Sequence, residues 1–247
     1  SMKIVITNQQ GRIGKSSIAG NAFLPFRPEG TQLFSIESIN DGAEQFGVEL
    51  TTHRGGETLE ILTQVMTADH VLLDVGASNF DSFFIGLKGF SGVDDVDLFV
   101  LPTVPGKRES LETMKTVGKL RAYGVPAERI RIVFNMVELA SINDSLEERV
   151  KFFFPEILNF AKAEKSCVAD PKTALRKTKL FDHLSRSRQT LAEALADKTD
   201  YSAQIRAAVS DPEEHKRALD AFAAMRLAKL VAADCQALFQ RVTAGLV

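Results

Sequence analysis

Residues 3–17 read KIVITNQQGRIGKSS, a short apolar run leading into a glycine-bearing loop that closes on Gly14-Lys15-Ser16. A strand that turns through glycines into a helix is restricted to few folds. The glycines let the backbone curl so that several N–H groups point inward, and the helix N-terminus adds partial positive charge. Such a loop is built to hold phosphate. Lys15 would reach the β- and γ-phosphates, and the Ser16 hydroxyl would ligate Mg²⁺. The alternative is an ordinary strand–turn–helix with a surface lysine.

The next 150 residues favour the phosphate site. Apolar runs at Lys3–Thr7, Gln32–Glu37, His70–Val75, Asp97–Leu101 and Arg129–Asn135 alternate with helical patterns at Lys15–Leu24, Glu57–Met66, Phe80–Leu87 and Lys107–Tyr123. Ser166–Ala169 reads as a weaker sixth strand. Continuous apolar strands are buried on both faces, so the pattern predicts a mainly parallel sheet flanked by helices, an α/β fold of the P-loop NTPase type. Beyond residue 170 only helical patterns remain, at Ser185–Ala196, Tyr201–Val209 and Pro212–Val242. Asp211-Pro212 is a clean helix start. The expected organisation is a nucleotide-binding core over residues 2–180 and a helical C-terminal extension over 181–247, packed on the core within one structural domain.

A second motif, VLLDVGASNF at 71–80, ends a strand in Asp74 with Gly76 two residues on. In phosphate-loop folds an acid at this place holds the Mg²⁺ water shell, and a following glycine N–H approaches the γ-phosphate. Alone, the motif is equally a strand capped by an aspartate turn. Together, NQQGRIGKSS and DVGASNF resemble the ParA/MinD ATPases, whose deviant Walker A loop reads N-Q-K-G-G-x-G-K-[ST]-[ST]. With LPTVPGKRES the resemblance is more specifically to the plasmid-stability StbB and conjugal-transfer TraL branch. It implies an ATP- and Mg²⁺-dependent ATPase switch; two widely spaced, reduced cysteines fit a cytoplasmic chain. It also implies a nucleotide-dependent homodimer and a plasmid-encoded partner protein or DNA-binding adaptor. Residues Gln10, Gly11, Arg12, Ile13, Gly14, Lys15, Ser16 and Ser17 become the nucleotide loop, with Ser16 and Asp74 on Mg²⁺ and Gly76 on the γ-phosphate. Asn135 stands where the family places an adenine-contacting asparagine, and Asp170 and Pro171 where a loop covers the base.

Three positions depart from that pattern. The family's signature lysine aligns with Gln10, and its second loop glycine with Arg12. Glutamine brings no charge to a reaction that depends heavily on stabilising the charge of the departing phosphate. Hydrolysis is therefore expected to be slow unless another cation serves. Arg12, on the outer lip, is the candidate; it would act across a dimer, within its own subunit, or as an obstruction. At SIESIND the usual pair of acids is reduced to Glu37, with Ile39 in the second place and Asp41 out of step. The long polar stretch 38–56, with His53 and Arg54, reads either as a switch loop or as a solvated surface loop. These losses leave open a non-hydrolysing nucleotide-binding adaptor, or a small-molecule kinase or ligase of the same superclass.

The remaining constellations carry less. Arg176, Lys177, Lys179, Arg186 and Arg188 form either a solvated helix face or a non-specific DNA contact. Lys107 and Arg108 add cations at a strand end. Phe83, Phe84, Leu87 and Phe90 are divided between core and partner surface. The net charge of −2 gives no global attraction to nucleic acid or membrane, and acids mix with bases on the last helical pattern, so membrane anchoring is not expected. Cys167 and Cys235 are far apart and read as reduced thiols.

Overall fold

The computed structural model describes residues 1–36, 51–53, 58–141 and 144–246. Among the described residues, seven parallel strands form one sheet: β1 Met2–Thr7, β2 Gln32–Ile36, β3 Thr51–His53, β4 His70–Val75, β5 Leu98–Thr103, β6 Ile130–Val137 and β7 Ala174–Arg176, in the order β3-β2-β4-β1-β5-β6-β7. The helices are α1 Lys15–Ser17, which continues as wider π-helical turns over Ile18–Phe23, then α2 Thr58–Thr67, α3 Phe80–Gly89, α4 Lys107–Ala122, α5 Leu146–Phe153 and α6 Pro155–Glu164. A C-terminal set follows: α7 Leu180–Ser187, α8 Leu191–Ala196, α9 Tyr201–Ala207, α10 Pro212–Arg226 and α11 Ala228–Val242.

Alternation along each strand sorts the core into two layers. Val5, Phe34, Leu73, Phe99, Leu101 and Phe134 face α3, α4 and α6, where Phe80, Phe83, Phe84, Leu87, Val117, Leu120 and Ile157 cover them. Ile4, Ile6, Leu33, Leu72, Val100 and Val133 face Ile18, Ala22 and Phe23 of the first helix together with Leu184, Leu191, Val231, Cys235 and Leu238 of the C-terminal helices. The phenylalanine-rich stretch thus goes mostly inward; Phe90 is the partly exposed exception. Among the described residues no helix is long and apolar enough to cross a membrane.

Several expected boundaries move, each for a physical reason. β5 runs on through Pro102 to Thr103. Its ladder with β1 ends at Val100, so the missing proline N–H costs no bond on that side. The expected sixth strand at Ser166–Ala169 is only a bridge of Val168 to Arg131. A turn at Asp170–Thr173 interrupts it, and the ladder resumes as β7, inside the basic run. β6 carries one extra residue between its pairings at Phe134 and Val137, a bulge with Met136 at φ +54°. Residues 51–53 of the long polar stretch form the edge strand β3.

Ser185–Ala196 is two helices, divided where Arg188 turns left-handed and Thr190 and Glu193 form a capping box. Pro212–Val242 breaks at Leu227. The break lets α11 lay Ala228, Val231, Cys235, Leu238 and Val242 on the sheet while α10 packs against α7 and α9. Asp211 caps α10 by accepting from the N–H groups of Glu213 and Glu214.

Leu238 is buried between the helical arm and the sheet layer. Leu238→Ala should therefore lower the unfolding free energy by about 2–5 kcal/mol. Helix and sheet signals should still melt in one transition; two separated transitions in a urea titration would show the arm to be an independent unit.

Candidate nucleotide-binding site

Asn8, the first residue after β1, is fully buried. Its Nδ2 donates to the Pro102 carbonyl at 2.9 Å and to Thr113 Oγ1 at 3.0 Å, and its Oδ1 accepts from the Gln10 N–H and from Thr116 Oγ1, both at 3.1 Å. Thr113 Oγ1 in turn donates to Thr103 Oγ1 at 3.0 Å. One amide therefore bolts the loop to β5 and to α4. Sequence reading passed over Asn8. The available signal was Thr113 and Thr116, a polar pair three residues apart on what becomes the buried face of α4.

The loop then bends through Arg12 at φ +59° and Gly14 at φ +82°. A Cβ on Gly14 would lie 2.4 Å from Asn135 Nδ2, so both the dihedral and the space require glycine. Buried Lys15 donates from Nζ to the Gln10 carbonyl at 2.9 Å. Ser16 Oγ donates to Asp74 Oδ2. Asp74 Oδ1 is buried and has no hydrogen-bond partner among the described residues, and neither has Ser35 Oγ, level with Asp74 on the neighbouring strand. A hydroxyl and a carboxylate with an unmet oxygen are the donor set that Mg²⁺ uses beside substrate phosphates, so the residues present fit that ion. Burial pushes the Asp74 carboxyl up from its ordinary range; the Ser16 hydrogen bond and the Lys15 charge oppose this.

No family model matches the sequence, and no curated protein matches it. Solved structures do. The MinD cell division protein of Aquifex aeolicus superposes with a TM-score of 0.52 at 12% identity, over 92% of this chain and 96% of that one. A ParA family ATPase from Chlorobium tepidum gives 0.52 at 11% identity, over 93% and 98%. A variant of Cyanothece McdA in its ATP complex gives 0.52 at 12%, over 93% and 97%.

The chain has the MinD/ParA fold.

Within this MinD/ParA fold the expected site residues are distributed unevenly. Lys15, Ser16 and Asp74 converge as described. Arg12 is exposed on the outer lip. Gly76 departs from expectation: its N–H donates to the Ile36 carbonyl at 2.9 Å, which also accepts from Asn79 Nδ2 at 3.2 Å, so it is engaged with β2 rather than facing the loop. Glu37, Ile39, Asp41 and Arg54 lie outside the described residues.

A cavity of about 500 Å³ opens beside the loop between Gly14, Ser17, Asn135, Met136, Phe181 and Lys179, with Glu138 and Asp182 also in its wall. Asn135, aimed by the β6 bulge, donates from Nδ2 to the Ile13 carbonyl at 2.9 Å. Its first task is to hold the loop. Asp170 and Pro171 do not reach this cavity. Asp170 instead closes a turn, accepting from the N–H groups of Lys172 and Thr173, each at 2.9 Å, and the wall is built by the segment after β7.

The basic run is likewise divided. Arg176 forms a two-bonded ion pair with Asp234, largely shielded from solvent, and Lys177 pairs with Glu138. Lys179, Arg186 and Arg188 stay exposed. Five cations in sequence therefore give at most three uncommitted to these pairs, a thinner surface for DNA phosphates than the run suggested.

Three substitutions test this geometry. Arg12→Gly should stabilise the fold by about 1 kcal/mol, because a left-handed non-glycine residue is strained by that order. Asn8→Ala should cost about 2–3 kcal/mol, since it leaves several buried polar partners unmet. Folded Asp74 holds its proton to higher pH than the unfolded chain does, so its contribution to stability falls as pH rises above the ordinary carboxylate range. Asp74→Asn should flatten that slope in melting temperature against pH, and raise stability at neutral pH.

Proposed function

We propose that this chain is a ParA-like, Mg²⁺-ATP-binding molecular switch with weak or partner-stimulated hydrolysis, serving plasmid stability, partition or conjugative transfer. The observation that carries the reading is the convergence of Lys15, Ser16 and Asp74 at the crest of the sheet, in the MinD/ParA fold. Lys15, oriented by the Gln10 carbonyl, would place its charge on the β- and γ-phosphates, with the loop N–H groups around them. Ser16 and Asp74 would hold Mg²⁺, whose charge would stabilise the negative charge of the reacting phosphates. Asn135 and the cavity next to it would take the base. Glu37 and Arg12 complete the catalytic assignment, Arg12 as the cation replacing a lysine at position 10.

Weak turnover follows from Gln10. A neutral amide contributes no charge at the γ-phosphate, and this one is engaged with Glu109 within its own chain. A second copy of the chain and a separate partner protein are the proposed binding partners; one similar structure is a complex of MinC with MinD.

The test is phosphate release from Mg²⁺-ATP by the purified protein, with Lys15→Ala as control. Turnover that the substitution lowers at least about tenfold supports a working catalyst. Release equal to the control, with nucleotide still bound, leaves the non-hydrolysing adaptor. No nucleotide binding at all sinks the reading.

A further inference from the structure

Gln10 is held from three directions. Its N–H donates to Asn8 Oδ1 at 3.1 Å, its carbonyl accepts from Lys15 Nζ at 2.9 Å, and its side chain donates from Nε2 to Glu109 Oε1 at 3.3 Å. The other end of the amide, Oε1, is buried with no hydrogen-bond partner among the described residues. The side chain's orientation is thus set by Glu109, since the flipped amide would turn its oxygen toward a carboxylate.

Glu109 reaches this place because of Gly106. It stands in the first turn of α4, where an acid complements the helix N-terminus. Its second oxygen lies 2.0 Å from where a Gly106 Cβ would stand, and Gly106 has φ +148°. Only glycine allows the carboxylate to fold back over the helix start. The first Glu109 oxygen accepts from Gln10 Nε2, so the carboxylate is turned toward the loop.

We infer that Glu109 is a positioning residue for the phosphate loop: it fixes the Gln10 side chain, and the Gln10 backbone, so fixed, aims the Lys15 ammonium. The inference rests on the nucleotide-binding reading and deepens it. It also predicts what a lysine at position 10 would do here: the Glu109 carboxylate would capture its ammonium within the same chain, so Gln10→Lys alone does not create a free cation.

The experiment is calorimetric titration of Mg²⁺-AMP-PNP into wild type, Glu109→Ala, Glu109→Gln, Gln10→Ala and the Gln10→Ala/Glu109→Ala pair, each with its melting temperature. Glu109→Ala should weaken binding about tenfold, through misplacement of a charged contact, while the melting temperature falls by no more than the few degrees that a lost first-turn acid costs. Glu109→Gln, which keeps an acceptor for Gln10 Nε2, should stay within about twofold of wild type. The double variant should be no weaker than the worse single variant, because both act through one contact. Wild-type affinity in both Glu109 variants overturns the positioning role. So does tighter binding in both, which would make Glu109 a repulsive charge. A wild type that binds no analogue sinks the nucleotide reading itself, a result distinct from either.

Discussion

The Asn8 carboxamide is the interaction on which the crest of this molecule depends. Parallel strands end together at one edge of a sheet, and their terminal peptide groups must find partners other than the next strand. Here one side chain serves the end of β1, the end of β5 and the inner face of α4 together. Every atom of this network is buried, so each bond is strong, and each broken partner would be costly. The same residue accepts the Gln10 N–H, so the loop leaves the sheet at a fixed angle. Lys15, Ser16 and the first helix inherit that angle.

The fold was legible because two-face burial leaves an unambiguous mark. Runs such as IVI, VLLDV and LFVL cannot be solvated on either side, and glycine and proline punctuate them. The core of the site was legible for a related reason: Gly14-Lys15-Ser16 and Asp74 are tied to their positions by local backbone geometry. What failed to show were contacts made between distant segments. Nothing next to Asn8 announces Pro102 or Thr113, some hundred residues on. Nothing near Glu109 announces Gln10. Asp170 was read as part of a loop over the base; in the structure it closes a local Asx turn, which its neighbours in sequence did not announce. The basic run misled because charge in sequence says nothing about partners in space; Asp234 and Glu138 come from other elements. The helix expected at Pro212–Val242 was read through Leu227 because its periodicity continues while its direction changes.

Gln10 and Arg12 lie two positions apart and depart from the resembled loop in opposite senses. At position 10 a charge is replaced by a dipole, and at position 12 flexibility is replaced by charge at a left-handed dihedral. The loop thereby keeps its cation count but moves the charge from a place anchored by Glu109 to an exposed lip.

The helix that opens at Lys15 does not end in solvent. Its far end places Phe23 edge-on to Phe239 of α11 at 5.6 Å, with Phe26 beside the same ring at 5.8 Å. The first helix thus links the loop to the C-terminal arm through a shared aromatic contact. Any ligand that binds only the closed loop raises the free energy of opening the arm by RT ln(1 + [L]/Kd). Fraying of α11 from the sheet, and protease access to it, would then fall as that ligand's concentration rises.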